Sequence, residues 1–143
     1  MSTPTPPSTI PSLETQLDFL VHEMGTGNGG SLITNNSWNS GNLSVEGAAT
    51  LFENRFERAG GSNLNGRINY ANQVYNAAQN GTLGSISSNV RSSYNYLISR
   101  GFNPAQASGI VGNLMAESGT GLDPAAFNPA GGGQGAFGIA QWR

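Results

Sequence analysis

The 143-residue sequence has no cysteine and no lysine, and only 10% of its residues carry a charge. Without cysteine, disulfide bonds and thiolate-ligated metal sites are excluded. The six basic residues other than histidine are arginines scattered along the chain, and the net charge is -2. Because nucleic acids and anionic membranes attract clustered positive charge, we expect neither as a partner. No apolar run approaches the roughly 18 residues of a membrane-spanning helix, so we expect no membrane insertion.

The beginning of the sequence also lacks the features of a secretory signal. Residues 1–11 contain four prolines but no basic residue and no apolar stretch. This composition predicts a flexible, polyproline-like arm. We expect residues 12–143 to form a single domain, because this length suffices for one hydrophobic core. A target outside the plasma membrane would require another route of delivery.

Apolar residues at helical spacing occur in five stretches, separated by glycine-rich segments. Ser44 and Asn89 fit the N-cap positions of the second and fourth stretches. Asn103 and Pro104 give the best start signal, because Gln106 follows where a capping box needs Glu or Gln. The predicted helices run from Ser12 to Gly25, from Ser44 to Ala59, from Leu64 to Ala78, from Asn89 to Arg100 and from Asn103 to Glu117.

The segments between these helices are predicted to be irregular. Residues 25–43 form a long Gly/Asn/Ser loop, and residues 79–88 a linker without helical periodicity. Residues 136–142 are a short strand or the start of another helix. We therefore predict a mainly α fold of about five helices with a small loop or hairpin element. Gly109 and Gly112 should let a neighbour approach the fifth helix. The third helix is expected to bury Ile68, Ala71, Tyr75 and Ala78.

One carboxylate stands at the end of the fifth helix. Glu117 closes the apolar run, and Glu117 and Asp123 are the only acidic residues from Gly60 to the C-terminus. Partial burial and the negative end of the helix dipole both disfavour an ionised carboxylate. A general acid working near neutral pH requires such conditions. The alternative is an ordinary, solvated Glu at a helix terminus, without a catalytic role.

Several motifs follow Glu117 in a fixed order. They are Glu117-Ser118, Asp123-Pro124, Asn128-Pro129 and Gly135-Ala136-Phe137-Gly138-Ile139-Ala140-Gln141-Trp142. This order resembles the lysozyme-like superfamily, in which a helix ending in Glu-Ser leads through an Asn-Pro loop to a Gly-Ala-x-Gly-(Ile/Leu)-x-Gln segment. Within it the sequence is similar to the phage tail lysozyme family, with the likeness beginning at Tyr96. The resemblance implies a lysozyme-like α+β domain with helices around a cleft.

The first half resembles the same family in a different order. Residues 15–23 are similar to the helix that follows the Gln-Trp segment, and residues 48–75 to the last two helices. The family's short helix between these segments is missing, and only Arg143 and the arm stand there. The resemblance implies a circular permutant, with residues 12–78 equivalent to the C-terminal half, 79–88 a connector and 89–143 equivalent to the N-terminal catalytic half. A fragment spanning two tandem copies is the alternative.

The resemblance also implies a function. The substrate would be bacterial peptidoglycan, cleaved at the β-1,4 link between N-acetylmuramic acid and N-acetylglucosamine. Glu117 would protonate the glycosidic oxygen, without a metal or other cofactor. Such a muramidase would act on the cell wall from a phage virion or, before release, from the host cytoplasm. We expect a monomer, with phage tail components as candidate partners. The alternatives are a lytic transglycosylase and a tail or wall-binding protein without turnover.

The second catalytic group is left open by the sequence. A retaining glycosidase needs a second carboxylate about 5–5.5 Å from the acid, and an inverting one about 6.5–9.5 Å. Asp123 precedes a proline, as in a turn, and Glu57 stands beside Arg58, as in an ion pair. Candidates for a second carboxylate or for a water-positioning group are Asp123, Glu57, Glu23, Gln141 and Ser118.

Sugar-binding candidates lie near the same motifs and in the long loop. Trp142 and Phe137 either pack against sugar rings or fill the core. Trp38 lies in the long loop with few apolar neighbours, which favours binding at the surface. The candidate substrate-binding residues are Gln141, Trp142, Phe137, Trp38 and Asn128.

Overall fold

The computed structural model describes residues 9–25, 30–57, 63–128 and 136–142. These ranges contain α1 (Leu13–Met24), α2 (Gly30–Ile33), α3 (Val45–Phe52), α4 (Leu64–Asn80), α5 (Leu83–Ile86), α6 (Ser88–Ser99) and α7 (Pro104–Ser118). A π-helical segment (Glu53–Glu57) continues α3, and an antiparallel hairpin joins β1 (Phe127–Asn128) and β2 (Ala136–Phe137). The mainly α class is confirmed, and the five helices of eight residues or more in these ranges lie where five were predicted.

Three helix starts follow the hydrogen-bonding rules read from the sequence. The Oγ atoms of Ser12 and Ser44 each accept the N–H three residues on, at 3.1 and 2.9 Å. The capping box is also formed: Asn103 Oδ1 accepts the Gln106 N–H (2.8 Å), and Gln106 Oε1 accepts the Asn103 N–H (2.9 Å). These bonds satisfy N–H groups that a helix N-terminus leaves without intrahelical partners.

The start of α6 differs from the prediction. Ser87, not Asn89, is the N-cap, and its Oγ accepts the Val90 N–H at 2.9 Å. Asn89 lies inside the helix, where its Nδ2 donates to the carbonyl of Leu122 (3.2 Å). Through this bond Asn89 links α6 to the loop after α7.

The two segments predicted to be irregular each contain a helical turn. Helix α4 ends at Gly81, whose φ of +72° suits glycine, and α5 follows within the predicted linker. Helix α2 lies within the predicted loop of residues 25–43. Each turn places one leucine in the hydrophobic core, Leu83 from α5 and Leu32 from α2. Burial of these side chains provides the stabilisation that local sequence patterns did not indicate.

Helix α7 lies in the core. Its residues from Gln106 to Met115 are all buried, as expected for a helix with neighbours on several sides. A Cβ atom on Gly109 would lie 2.7 Å from Ala48, and one on Gly112 would lie 2.5 Å from the backbone N of Ala71. The expectation of close neighbours at both glycines is therefore confirmed, with α3 at the first and α4 at the second.

The buried face of α4 is displaced by about one residue from the predicted one. The prediction named Ile68, Tyr75 and Ala78 beside Ala71. The structure fully buries Arg67, Ala71, Val74 and Ala77, whereas Ile68, Tyr75 and Ala78 are partly buried against the core. Ala71 of this face lies against Gly112 of α7. Periodicity of apolar residues could not reveal this face, because its first position is an arginine.

The two ends of the described chain meet at α1. Gln16 is buried there and donates from Nε2 to the carbonyls of Pro11 (3.0 Å) and Pro124 (2.9 Å). Its Oε1 accepts the Ile139 N–H (2.9 Å). One side-chain amide thus fastens the segment before α1 to the loop after α7 and to the C-terminal segment. The predicted arm lies outside the described residues up to residue 8. Among the residues that are described, no helix has the length and apolar character to cross a bilayer.

Candidate active site

Glu117 lies in the last turn of α7 and meets an arginine from α4. Its Oε2 is 2.9 Å from Nη2 of Arg67, and the Glu117 and Arg67 side chains are 20% and 4% exposed, respectively. Arg67 reaches this position because it belongs to the buried face of α4, which packs on α7. The candidate carboxylate is therefore partly buried and paired with an opposite charge, which the sequence analysis did not predict.

A buried asparagine holds the other side of the arginine. Arg67 donates from Nη1 to Asn113 Oδ1 at 2.9 Å. Asn113 Nδ2 in turn donates to the carbonyls of Ala49 (3.0 Å) and Gly109 (2.9 Å). Helices α3, α4 and α7 therefore all contribute to the arrangement around Glu117. Buried polar groups are tolerated when they are satisfied in this way.

The two oxygens of the Glu117 carboxylate differ in their contacts. The Arg67 guanidinium binds one of them through a charge-assisted hydrogen bond. Oε2 is used by this bond, and Oε1 has no hydrogen bond to any of the residues that the structure describes. The site thus offers one anchored and one uncommitted carboxylate oxygen.

Sequence reasoning missed both Arg67 and Asn113, although each leaves a signal. Arg67 is the only charged residue between Gly60 and Val90, and it precedes Ala71 by one helical turn. Asn113 interrupts an apolar stretch and precedes Glu117 by four residues, which puts the two on one face of the helix. A lone polar residue at a core position of a helix points to a specific buried partner.

The candidates nearest to Glu117 in sequence are engaged locally. Asp123 is exposed, and its Oδ1 accepts the Ala125 N–H at 2.9 Å, as in the predicted turn. The Ser118 hydroxyl donates to the carbonyl of Leu114, in its own helix, at 2.8 Å. Neither residue is bonded to Glu117 within the described ranges.

The structure brings Glu23 and Trp142 together where α1 meets the C-terminal segment. Trp142 Nε1 donates to Glu23 Oε1 (2.6 Å), and its ring centroid is 5.3 Å from that of Phe19. Phe19 is 48% exposed and Trp142 is partly exposed. An accessible pair of aromatic rings is a surface on which a sugar can pack. Phe19 was not predicted, although an aromatic residue off the apolar face of α1 was the available signal.

Gln141 closes the base of the hairpin. Its Nε2 donates to the carbonyls of Gly138 (2.9 Å) and Ala126 (3.3 Å), and its backbone has a φ of +52°. Asn128 is exposed on β1, opposite Ala136. The side-chain Nε2 of Gln141 therefore donates to the backbone next to the hairpin. The side-chain oxygen Oε1 accepts no hydrogen bond from a described residue.

Two candidates have side chains outside the described residues. Glu57 ends the π-helical segment, and Phe137 lies on β2 opposite Phe127. Arg58, the predicted partner of Glu57, lies outside them as well. The roles given to these side chains stay predictions.

Trp38 is a core residue, and the prediction that it binds at the surface is wrong. Its side chain is 1% exposed and belongs to the main hydrophobic cluster. The loop is held against α7, because Gln106 Nε2 donates to the Trp38 carbonyl at 2.8 Å. Asn35 Oδ1 also accepts the Trp38 N–H (3.0 Å). The few apolar neighbours in sequence were misleading because the cluster that contains Trp38 includes residues of helices distant in sequence.

One protein family, described as phage tail lysozyme, has a model that matches residues 7–78 and 88–143. No curated protein matches the chain, and neither does any solved structure. The two matched segments include Arg67 and Glu117 and together cover nearly the whole sequence. The chain therefore belongs to the phage tail lysozyme family.

Proposed function

We propose that the protein is a lysozyme that cleaves the β-1,4 bond between N-acetylmuramic acid and N-acetylglucosamine, with Glu117 as general acid. Membership of the phage tail lysozyme family indicates a lysozyme-like action on peptidoglycan. The observation that carries the assignment of the acid is the geometry of Glu117. It is a partly buried carboxylate at the end of a core helix, with one oxygen bound to Arg67 and the other uncommitted among the described residues.

In this proposal the proton resides on Oε1 of Glu117 and passes to the glycosidic oxygen as the bond from that oxygen to the anomeric carbon breaks. Water then attacks the anomeric carbon and gives up a proton to a carboxylate of the protein acting as base, which neutralises the positive charge that developed on the sugar ring. Gln141 or Ser118 is a candidate for holding that water, and Trp142 with Phe19 supplies a face for a sugar ring. Asn128 and Phe137 are further candidates for contact with the glycan.

A lytic transglycosylase is the second candidate, and a specific observation favours it. The described carboxylates proposed as the second group are engaged elsewhere: Asp123 with the Ala125 N–H and Glu23 with Trp142. Attack by a hydroxyl group of the sugar itself needs only one protein carboxylate, which acts first as acid and then as base. Glu57 is the remaining candidate for a second carboxylate in the hydrolytic reaction.

The proposed substrate is the bacterial cell wall, and phage tail components are the proposed partners of a monomeric protein. The test is the clearing of purified peptidoglycan by wild type and by Glu117→Gln. The side-chain amide of this variant keeps an oxygen that can accept from Arg67, so the variant should fold while losing at least about 10²-fold in rate. Clearing at the same rate by both proteins would contradict the enzymatic proposal, and binding without clearing would indicate a wall-binding protein. Mass analysis of the products separates hydrolysis, which leaves reducing ends, from transglycosylation, which leaves anhydro ends.

A further inference from the structure

Two residues outside the Glu117 motif hold its carboxylate in place. Arg67 donates from Nη2 to Glu117 Oε2 and from Nη1 to Asn113 Oδ1, both at 2.9 Å. Glu117 and Asn113 are four residues apart, so the planar guanidinium spans one turn of α7. We propose that Arg67 is a positioning residue of the active site, with Asn113 as its anchor. This inference rests on the proposed function, in which Glu117 is the general acid.

The anchor is itself fixed by the helix backbones. Asn113 is fully buried, and its Nδ2 donates to the carbonyls of Ala49 and Gly109 at 3.0 and 2.9 Å. Both amide hydrogens are thereby used, which orients Oδ1 toward Arg67. The chain of hydrogen bonds runs from α3 through Asn113 and Arg67 to Glu117. The carboxylate is therefore positioned by the packing of three helices and not only by its own side-chain torsions.

A buried arginine requires a reason at this position. Taking a guanidinium out of water is costly, and replacing a buried ion pair by apolar residues is often neutral or stabilising. An aliphatic residue at position 67 would fill the contact between α4 and α7, but it could not hold Oε2 of Glu117. With Oε2 bound, rotation of the carboxylate is restricted and Oε1 is left to carry the transferable proton. Such fixed geometry of the reacting group is a major source of catalytic rate.

The test compares kcat and KM for soluble peptidoglycan fragments among Arg67→Met, Arg67→Lys and Asn113→Ala, with thermal unfolding measured for each. Misplacing a reacting group by about 1 Å costs about 10²-fold in rate, so we expect a loss of that size in kcat for Arg67→Met. KM should change by less than about threefold, because ground-state binding is untouched. Arg67→Lys should recover part of kcat, since lysine keeps the positive charge but lacks the planar guanidinium that binds Glu117 and Asn113 at the same time. Asn113→Ala should have a kcat between those of wild type and Arg67→Met.

The matched control is Arg91→Met, which removes an exposed arginine from α6 and should leave kcat unchanged. A wild-type kcat in folded Arg67→Met, or a loss no larger than its unfolded fraction, overturns the inference. If Arg67→Met does not fold, the other two variants decide: lowered kcat at unchanged KM supports the inference, and wild-type kcat in both overturns it. Activity in wild type but not in Glu117→Gln keeps the proposed function whatever the Arg67 result. Equal clearing by wild type and by Glu117→Gln contradicts both the proposed function and the inference about Arg67.

Discussion

Gly112 is a point of close contact between α7 and α4. A Cβ atom built there would lie 2.5 Å from the backbone N of Ala71 and 2.8 Å from its Cβ. Backbone atoms cannot move aside as the end of a flexible side chain can, so an added methyl group must push the two helices apart. The same two helices carry Arg67 and Glu117, whose distance depends on how closely they pack. Gly112 therefore serves both the core and the site.

We predict that Gly112→Ala lowers the free energy of unfolding by about 1–2 kcal/mol. Overpacking a core costs about 1–3 kcal/mol, and the rigid backbone neighbour places this change near the upper end. The better helix propensity of alanine returns about 1 kcal/mol. Urea unfolding measures the difference. The control is Gly121→Ala, whose Cβ would have nothing within 4 Å and which should change stability by less than about 0.5 kcal/mol. Equal stability of both variants would contradict the packing argument.

Individual residues were predictable where their environment is local in sequence. Glu117 could be singled out because it ends an apolar helix and because acidic residues are scarce in the second half of the chain. The partnership of Arg67 with Asn113 could not be predicted, since it depends on the rotation and crossing of α4 against α7. The prediction that Trp38 binds at the surface failed for the same reason. Its carbonyl is bonded to Gln106, which lies 68 residues away in sequence on α7.

Among elements, the long helices were predictable because their signals span only a few residues. Asn103 and Gln106 satisfy each other across three positions, and this capping box is formed as expected. The single turn α5 was missed because it is stabilised by Leu83, whose core neighbours are distant in sequence. The cap of α6 was misplaced by two residues, since Ser87 and Asn89 are both suitable types and only tertiary contacts separate them.

The contact between α1 and α6 includes a small polar cluster with a pH-dependent member. The Tyr96 hydroxyl donates to the Asp18 carboxylate, which also accepts from Arg100 Nη2 at 2.9 Å. The Arg100 guanidinium lies 5.0 Å from the centroid of the Tyr96 ring. Burial, followed by the hydrogen bond to Asp18, raises the pKa of Tyr96 from 10.0 to about 12. The folded protein therefore holds this proton more tightly than the unfolded chain does.

We predict that this cluster makes stability fall in alkaline solution. Because the pKa of Tyr96 is higher in the folded state, its contribution is fully present below about pH 10 and is lost as the pH rises through about 12. Urea unfolding across this range should show a smaller fall in Tyr96→Phe than in wild type. The comparison isolates Tyr96, since burial raises the pKa of Tyr94 as well and both proteins keep that residue. Identical slopes in the two proteins would contradict the prediction.

For the whole molecule, we propose that the chain is a circular permutant of its family, with residues 12–78 and 89–143 as the exchanged halves. Two observations support this proposal. The family match is interrupted between residues 78 and 88, where the connector was predicted. Gln16 and Ile139, from opposite ends of the described chain, are bonded at 2.9 Å, and chain ends that lie together can be joined. Arg67 and Glu117 come from different halves, so the proposed site needs both.

A reordered chain tests the permutation. Opening the chain between Gly81 and Thr82, and joining Arg143 to Met1, gives a protein that begins with α5 and ends with α4. The proline-rich residues 1–11 then serve as the linker, with a reach of about 3.3 Å per residue. The gap to be bridged is small, because Gln16 is bonded both to the Pro11 carbonyl (3.0 Å) and to the Ile139 N–H (2.9 Å). The new ends lie in an exposed turn, where such cuts are tolerated best.

We predict that this reordered chain keeps wild-type helix content and a kcat close to that of wild type. Its stability should fall by about 1 kcal/mol, because the cut releases the Thr82 N–H from the Ala77 carbonyl, to which it is bonded at 2.8 Å. Circular dichroism, urea unfolding and clearing of peptidoglycan measure these quantities. The control has the same new junction but is opened between Gly109 and Ile110, inside the buried helix α7, and should not fold cooperatively. If both chains are unfolded, the ends cannot be exchanged and the permutation proposal fails. If only the control is unfolded, the order of the halves is free, whereas the continuity of α7 from its capping box to Glu117 is required.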